Sequence, residues 1–454
     1  MILNASFRSL GCKLNQLETE SLADAFRAAG ARVLGSRAEG DDEVEGRGAD
    51  LVLVNTCTVT SKAEQKARRI ARAALAANPG AAVLLTGCYA EMDAPGLEAL
   101  HERIVALPGA DKDALLGLAA WLADNWQGHG DLAEALREWR AGLGGRSADR
   151  FAYKPERFRF HSRPALKVQD GFDNRCTYCR VCLARGPSAS LPATEALERA
   201  RDLAASGAAE IVLTGVNLSQ YRDGGLGFAG LLRLLVAGTS GVAYRVSSFE
   251  PDRVDAEFLE VFADPRVRPH AHLPVQSGSD PVLARMARPY RRARVLEAVA
   301  ALRRVRGDPF IACDLIAGFP GETEAEFAST LELARECDFA WIHAFPFSAR
   351  PGTKAWELRP RVPERIAGER VEALTALARA GKAGYAARWL GSELAAVVES
   401  GGPPPHGTSE NYLKLRFEEP AIIPAPGQAI RCILIDTCAS GEVDAIARIR
   451  ASPS

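Results

Sequence analysis

The chain has 454 residues, 47% hydrophobic and 25% charged, with a formal net charge of -1. That length calls for two or three domains, and the balance fits a folded globular protein and excludes a disordered one. The near-zero charge excludes a global basic field for nucleic acid, so any RNA contact must come from local patches.

The start, MILNASFRSLGC, lacks a basic segment followed by a long apolar run, and no run reaches membrane-spanning length. A cytoplasmic protein without a membrane partner is expected. Ten cysteines in such a chain point to metal or redox chemistry more than to disulfides.

Residues 1–125 alternate strand and helix signals. Ala5 to Leu10, Leu51 to Asn55 and Ala82 to Thr86 read as strands, and Leu17 to Ala29 and Lys62 to Ala77 as helices. This βαβ pattern predicts an α/β domain on an open, largely parallel sheet. Each of the three strands runs into a cysteine: SLGC at Cys12, VNTC at Cys57, LTGC at Cys88. Carboxyl ends of parallel strands lie along one sheet edge, so three residues remote in sequence would converge there. A single strand-end cysteine is more often a small buried hydrophobe; three in register predict a metal cluster.

Residues 126–160 lose the pattern, and the segments GLGGRSADR and KPERFRF read as a connector. From 161 to 389 strand and helix signals alternate again. Strands are expected near 165–168, 210–214, 243–248, 269–274, 309–316 and 339–345, with helices such as 193–205, 253–262, 291–305 and 322–336 between them. Six such repeats predict a partial (βα)6 barrel, with its active site at the C-terminal mouth of the strands. Residues just after those strands are candidates to touch a ligand: Gly215, Asn217, Ser247, Ser248, Glu250, Gln276, Ser277, Gly318, Gly321, Ser348 and Arg350.

Just past the first of these strands, Val168 to Ser190 sets Cys176, Cys179 and Cys182 within seven residues. Several thiolates converging on one point suit a soft metal or an iron–sulfur cluster, and three on a four-iron cube leave one iron open. A structural zinc site or three packed thiols are the alternatives, but zinc needs a fourth ligand and no second knuckle of usual spacing follows.

Residues 390–454 change to short β-like pieces, ELAAVVES, NYLKLRF, QAIRCILID and EVDAIARI, with the turn-forming GGPPPHGTSE between the first two. They predict a small antiparallel β-barrel. Tyr412 with Lys414 and Arg416 combines a ring and two cations as RNA-binding surfaces do, although a solvated strand face around a core tyrosine has the same composition. Arg68 and Arg69, on the Lys62 to Ala77 helix, add cations of the same kind.

The pieces GCKLNQLETE, NTCTVTSKAEQKARR, TGCYAEM, CTYC, ARGPSAS, SSFEP, HLPVQSGSDPVLARM, DLIAGFPGETEAEF and FPFSARPGTKA together carry a resemblance. The chain resembles the radical S-adenosylmethionine methylthiotransferases along nearly its whole length. GCKLNQ, NTCTVT and GCYAE look like the branch that modifies N6-threonylcarbamoyladenosine (t6A) at position 37, beside the tRNA anticodon.

The resemblance implies two [4Fe-4S] clusters. Cys12, Cys57 and Cys88 would hold one, which carries the sulfur to be transferred. Cys176 and Cys179 would hold the other, with S-adenosylmethionine at its open iron and Tyr178, Gly215, Asn217, Ser248, Glu250, Gln276 and Ser277 around that cofactor. A 5′-deoxyadenosyl radical would abstract hydrogen from C2 of the adenine, where a methylthio group is installed; a second S-adenosylmethionine would supply the methyl. The tail would be a TRAM module holding tRNA. An electron donor like flavodoxin or ferredoxin is implied, and a monomer is expected. The family's barrel motif is Cys-x3-Cys-x2-Cys, and Phe172 stands at its first position. Phenylalanine cannot ligate iron; Cys182, where relatives usually have proline, is expected to replace the lost thiolate. The alternatives are methylthiolation of a protein side chain, or a degenerate, non-catalytic iron–sulfur protein that binds tRNA.

Overall fold

The computed structural model describes residues 2–34, 47–144, 148–155, 158, 160–418, 424–438 and 443–450. The chain forms two compact units. One comprises Met1–Phe160, Asp170–Asn174 and Cys179–Ser188; the other comprises His161–Gln169, Arg175–Tyr178 and Ala189–Ser454.

The first unit is built on five strands: β1 (Asn4–Ser9), β2 (Arg32–Leu34), β3 (Leu51–Thr56), β4 (Ala82–Gly87) and β5 (Ile104–Ala106). They run in the order β2-β1-β3-β4-β5, and every pair is parallel. Strand β3 is buried on both faces, which explains its unbroken apolar run. Its side chains alternate between two cores. Leu51 and Leu53 pack with Phe7, Leu22, Phe26 and Leu84, whereas Val52 and Val54 pack with Ala67, Ala71 and Leu85.

The segment 126–160, expected as a connector, supplies the helix Leu132–Ala141 to this unit. The Asp131 carboxylate accepts the Ala133 N–H at 2.8 Å to start it. Leu132, Ala133, Leu136 and Trp139 then join the core on the Leu53 side. Residues 145–147, 156, 157 and 159 of the same segment lie outside the described residues.

The second unit opens with six strands: β6 (Ala165–Lys167), β7 (Glu210–Thr214), β8 (Ala243–Val246), β9 (His270–Gln276), β10 (Phe310–Ala317) and β11 (Trp341–Pro346). Two parallel groups, β8-β7-β6 and β9-β10-β11, are joined by the parallel bridges Tyr244↔Val267 and Ser248↔His272. Together they make the partial barrel that the six repeats predict. Alternation along β10 separates its faces. Ile311, Cys313, Leu315 and Ala317 are fully covered, while Asp314 and Ile316 are only half-buried and face the lumen.

The tail closes a five-stranded barrel from β12 (Glu393–Ser400), β13 (His406–Ser409), β14 (Lys414–Phe417), β15 (Ala429–Thr437) and β16 (Ala445–Ile449), in the order β12-β13-β14-β16-β15. It corrects the antiparallel expectation at one seam, because β14 and β16 are parallel. The reason is geometric: an odd number of strands cannot alternate direction all the way round a closed ring. Strand β13 also occupies part of the GGPPPHGTSE stretch expected as a turn.

A buried carboxylate ties this small barrel to the large one. Glu210 on β7 accepts from Arg245 at 2.6 and 3.0 Å, from Arg268 at 2.8 Å and from Arg163 at 3.4 Å. Arg245 also donates to the Ser409 carbonyl at 3.1 Å, and Arg163 pairs with Glu399 at 2.6 Å. Burial pushes the Glu210 carboxyl up, but Arg245, Arg163 and Arg268 outweigh it and hold it well below the usual range. Glu210→Gln would leave these buried guanidiniums short of their anion, at a cost of roughly 3–5 kcal/mol. Urea unfolding should show a midpoint well below wild type, with Glu210→Asp falling between the two.

Candidate functional site

In the first unit the three strand-end cysteines meet. Cys12 caps the N-terminus of the helix Lys13–Ala28, Cys57 follows β3, and Cys88 opens the helix Cys88–Glu98. Their strands β1, β3 and β4 are consecutive in the sheet. Gly11 is at φ +90°, and a Cβ there would lie 2.6 Å from the Cys57 Sγ. Gly87 is at φ +94°, where a Cβ would lie 2.5 Å from the Thr56 carbonyl oxygen. Both Gly-Cys pairs are therefore required by close approach. Burial, then the Cys12 and Cys88 thiols, push Cys57 up to about 12. Cys12 is exposed and the other two buried.

Arg185, at the end of the short helix Val181–Arg185, serves this group. Its Nε donates to the Cys88 Sγ at 3.3 Å. Its other nitrogens reach Glu18 at 3.2 Å, Asp170 at 3.0 Å and the Asn15 Oδ1 at 2.9 Å. Glu18 also accepts from Lys112 at 2.5 Å. Asn15 fixes the strand ends, donating to the Leu10 and Thr56 carbonyls at 2.7 and 3.1 Å. On the same short helix, Cys182 directs its thiol to the Cys179 carbonyl at 3.2 Å. Nearby, Gly171 at φ +63° has room for nothing more, since a Cβ would lie 2.1 Å from the Pro187 oxygen.

The lumen of the second unit is layered. At its floor the Tyr412 ring lies 4.2 Å from His270 and 5.6 Å from Phe310, centroid to centroid, with the Arg245 guanidinium 5.0 Å away. In the middle, His272 Nδ1 meets the Ser248 hydroxyl at 2.6 Å and His272 Nε2 meets Asp314 at 3.0 Å. His343 stands edge-on to His272 at 5.4 Å and takes the Trp341 indole N–H on Nδ1 at 3.2 Å. Above them Arg288 donates to the Cys176 Sγ at 3.2 Å, to the Tyr290 hydroxyl at 2.9 Å and to the Glu250 carboxylate. Burial raises the Cys176 thiol, and Arg288 pulls it back down. Burial likewise pushes Glu250 up to about 7 against the pull of Arg288.

Several expected site residues are engaged inside the protein. Ser277 is fully buried, with its hydroxyl between Thr330 at 3.2 Å and the Ser279 N–H at 3.2 Å. Within the protein it ties the turn after β9. Asn217 caps the turn Leu218–Gln220, its side chain accepting from Ser219 at 3.1 Å. Gly215 packs against Gln169, whose Oε1 would lie 2.9 Å from an added Cβ. Gln276 is buried at φ +69°, a strained backbone of the kind that clusters at functional sites. Tyr178 meets Phe319 edge-on at 6.5 Å.

Of the RNA candidates, Tyr412 is half-buried, and its ring packs on His270, Phe310 and Arg245, which assigns it a part in the core of the second unit. Lys414 and Arg69 are exposed, and Arg416 and Arg68 are half-buried. Arg68 also sits 5.7 Å from the Tyr89 ring. Sequence reasoning passed over Asn15, Glu18, Arg185, His272, Arg288, Asp314 and His343.

Among the described residues, only His272, Asp314 and His343 bring three metal-ligating atoms within 4.8 Å of one another. Cys12, Cys57 and Cys88 are thus spaced more widely than ligands of one zinc ion, whose sulfurs sit about 2.3 Å from the metal. The wider spacing suits a multi-iron cube. The Cys176 thiol beside a buried guanidinium likewise suits a thiolate ligand.

Comparison with known proteins matches residues 167–334 to the Radical SAM superfamily and residues 4–109 to the Uncharacterized protein family UPF0004. The structure is similar to that of the radical S-adenosylmethionine methyltransferase TsrM from Kitasatospora setae, at TM-score 0.52 and 16% identity over 78% of this chain and 77% of that one. The class is therefore radical S-adenosylmethionine enzyme, which implies that cofactor and a [4Fe-4S] cluster. The threonylcarbamoyladenosine tRNA methylthiotransferase MtaB of Treponema pallidum is 43% identical, over 92% of this chain and 95% of that protein. The MtaB of Bacillus subtilis is 32% identical over 91% and 90%. A tRNA-2-methylthio-N(6)-dimethylallyladenosine synthase of Cereibacter sphaeroides is 32% identical over 93% and 94%. The chain belongs to the tRNA methylthiotransferase family. No helix among the described residues is long and apolar enough to cross a membrane.

Tyr412→Ala tests the reassignment of that ring. Loss of a half-buried aromatic should destabilise the second unit, near the lower end of the roughly 3–5 kcal/mol seen for buried rings. The salt dependence of tRNA binding should stay at the wild-type slope, measured by filter binding across a salt series.

Proposed function

We propose that this enzyme installs a methylthio group on C2 of N6-threonylcarbamoyladenosine at position 37 of tRNA, using S-adenosylmethionine and two [4Fe-4S] clusters. The observation that carries the reading is the meeting of Cys12, Cys57 and Cys88 at one sheet edge, beside the Arg185 guanidinium. These thiols would hold the second cluster. Two of them sit at helix N-termini, and the Arg185 guanidinium donates to the Cys88 sulfur.

Cys176 and Cys179 would hold the radical cluster, with Cys182 as third thiolate in place of the cysteine missing at Phe172. When bound, cluster and cofactor supply a carbon-centred radical able to remove a hydrogen atom. The chain's own part is to bind and orient. Arg288, which donates to the Cys176 sulfur and holds Glu250, would offset the charge of a Cys176 thiolate, and Glu250 would accept a hydrogen bond from the cofactor's amino group. The t6A assignment draws on the 43% identity to the Treponema pallidum enzyme. Lys414, Arg416, Arg68 and Arg69 are the cations offered to tRNA phosphates, on a TRAM-like tail and on the first unit. A flavodoxin- or ferredoxin-like donor would deliver the electron, and the protein would act as a cytoplasmic monomer.

Phe172 favours a second reading, a tRNA-binding member without radical chemistry. Two measurements separate them. Anaerobic reconstitution should give about eight irons per chain, and changing Cys12, Cys57 and Cys88 together to alanine should remove about half. Cys182→Ala should abolish 5′-deoxyadenosine formation, and Phe172→Cys in that background should restore part of it. Wild-type protein that makes no deoxyadenosine, while Phe172→Cys does, would establish the degenerate reading instead.

A further inference from the structure

His272, Asp314 and His343 lie close enough to hold a metal ion, but hydrogen bonds already engage both imidazoles. A neutral imidazole has one lone pair. For His343 the Trp341 indole takes it: indole N–H is donor only, so the Nδ1 it meets at 3.2 Å must accept. For His272, the ionised Asp314 can only accept, so Nε2 donates to it at 3.0 Å, and Nδ1 meets the Ser248 hydroxyl at 2.6 Å. Burial raises the Asp314 carboxyl, but the hydrogen bond from His272 and the charge of Arg288 help hold it below its usual range.

This chain of bonds has one open end. His343 is pressed toward the neutral form, since burial of its ring nitrogens, with Lys382, lowers its pKa against the pull of Asp314. With Nδ1 occupied, its proton sits on Nε2. The side chain is exposed, on the edge strand β11 of the lumen that also holds Cys176, Arg288 and Glu250. The result is a neutral N–H donor of fixed tautomer in the middle layer of the lumen, on its edge strand.

We infer that His343 Nε2–H is a specificity contact, donating a hydrogen bond to an oxygen of the acyl substituent on N6 of the target adenine. This rests on the t6A reading above. A threonylcarbamoyl group carries carbonyl, carboxylate and hydroxyl oxygens at that position, whereas a dimethylallyl group is hydrocarbon only. A site built to donate to oxygen discriminates strongly against a partner that has none, because its polar group is then left unpaired. Trp341 acts through His343, as the positioning residue that sets its tautomer.

The test uses the reconstituted full-length enzyme and one tRNA prepared with t6A, with dimethylallyl-adenosine or with plain adenosine at position 37. His343→Phe keeps the ring and removes the donor. It should raise KM for the t6A tRNA about tenfold with a smaller change in kcat, and reduce the preference for t6A over plain adenosine by the same factor. His343→Gln, which returns an N–H near the same place, should recover most of the preference, and Trp341→Phe should lose part of it. Equal iron content in all variants checks that the fold is intact. Wild-type discrimination retained by His343→Phe overturns the inference while leaving the t6A reading in place. A wild-type enzyme that does not turn over t6A tRNA overturns both. One zinc per chain in the wild type, lost in His343→Ala, would overturn it in favour of a metal site.

Discussion

A guanidinium buried against a cysteine sulfur organises each unit: Arg185 on Cys88 in one, Arg288 on Cys176 in the other. Removing a cation of this size from water costs several kcal/mol unless anions surround it. Each arginine therefore recruits its own carboxylates, Glu18 and Asp170 for Arg185 and Glu250 for Arg288. Those carboxylates in turn fix the elements that carry the thiols. Glu18 and Asn15 lie on the helix that Cys12 caps, and Glu250 follows the strand β8. The charge that steadies a thiolate thus also sets the local backbone.

The two barrels of the second unit are joined by the same kind of interaction, turned to a structural end. Glu210 gathers three arginines at the floor, and Tyr412 closes the lumen above them by packing on His270 and Phe310. With the floor sealed by rings and an ion network, polar groups open to a ligand remain in the upper layers. The β-barrel tail is therefore part of the chamber's construction as well as a surface carrying Lys414 and Arg416.

What the sequence made legible follows from chain-local physics. Strands, helices and the three strand-end cysteines could be read because burial alternates with period two or 3.6, and because Gly-Cys pairs mark a backbone with no room for a side chain. Arg185, Arg288 and His343 were passed over because nothing local distinguishes them from other arginines and histidines. Their roles arise only when remote carboxylates, thiols or an indole reach them. Tyr412 shows the converse: beside Lys414 and Arg416 it has the composition of an RNA-stacking surface, and only its tertiary neighbours reveal a packed ring. Ser277 was assigned to the cofactor for its place after a strand, yet a hydroxyl at that point equally serves to tie a turn.

The polarity of neighbouring groups also decides what the histidine pair can do. A histidine pair next to an aspartate looks alike in sequence and in coarse geometry whether it binds metal or passes hydrogen bonds. The distinction lies in the donors around it. An indole N–H and an ionised carboxylate are fixed in polarity, one always giving and the other always accepting, so the carboxylate requires a proton on His272 Nε2 and the indole requires a lone pair on His343 Nδ1. A residue as plain as Trp341, two positions before His343 on the same strand, thereby decides whether the chamber presents a lone pair or a proton to whatever enters it.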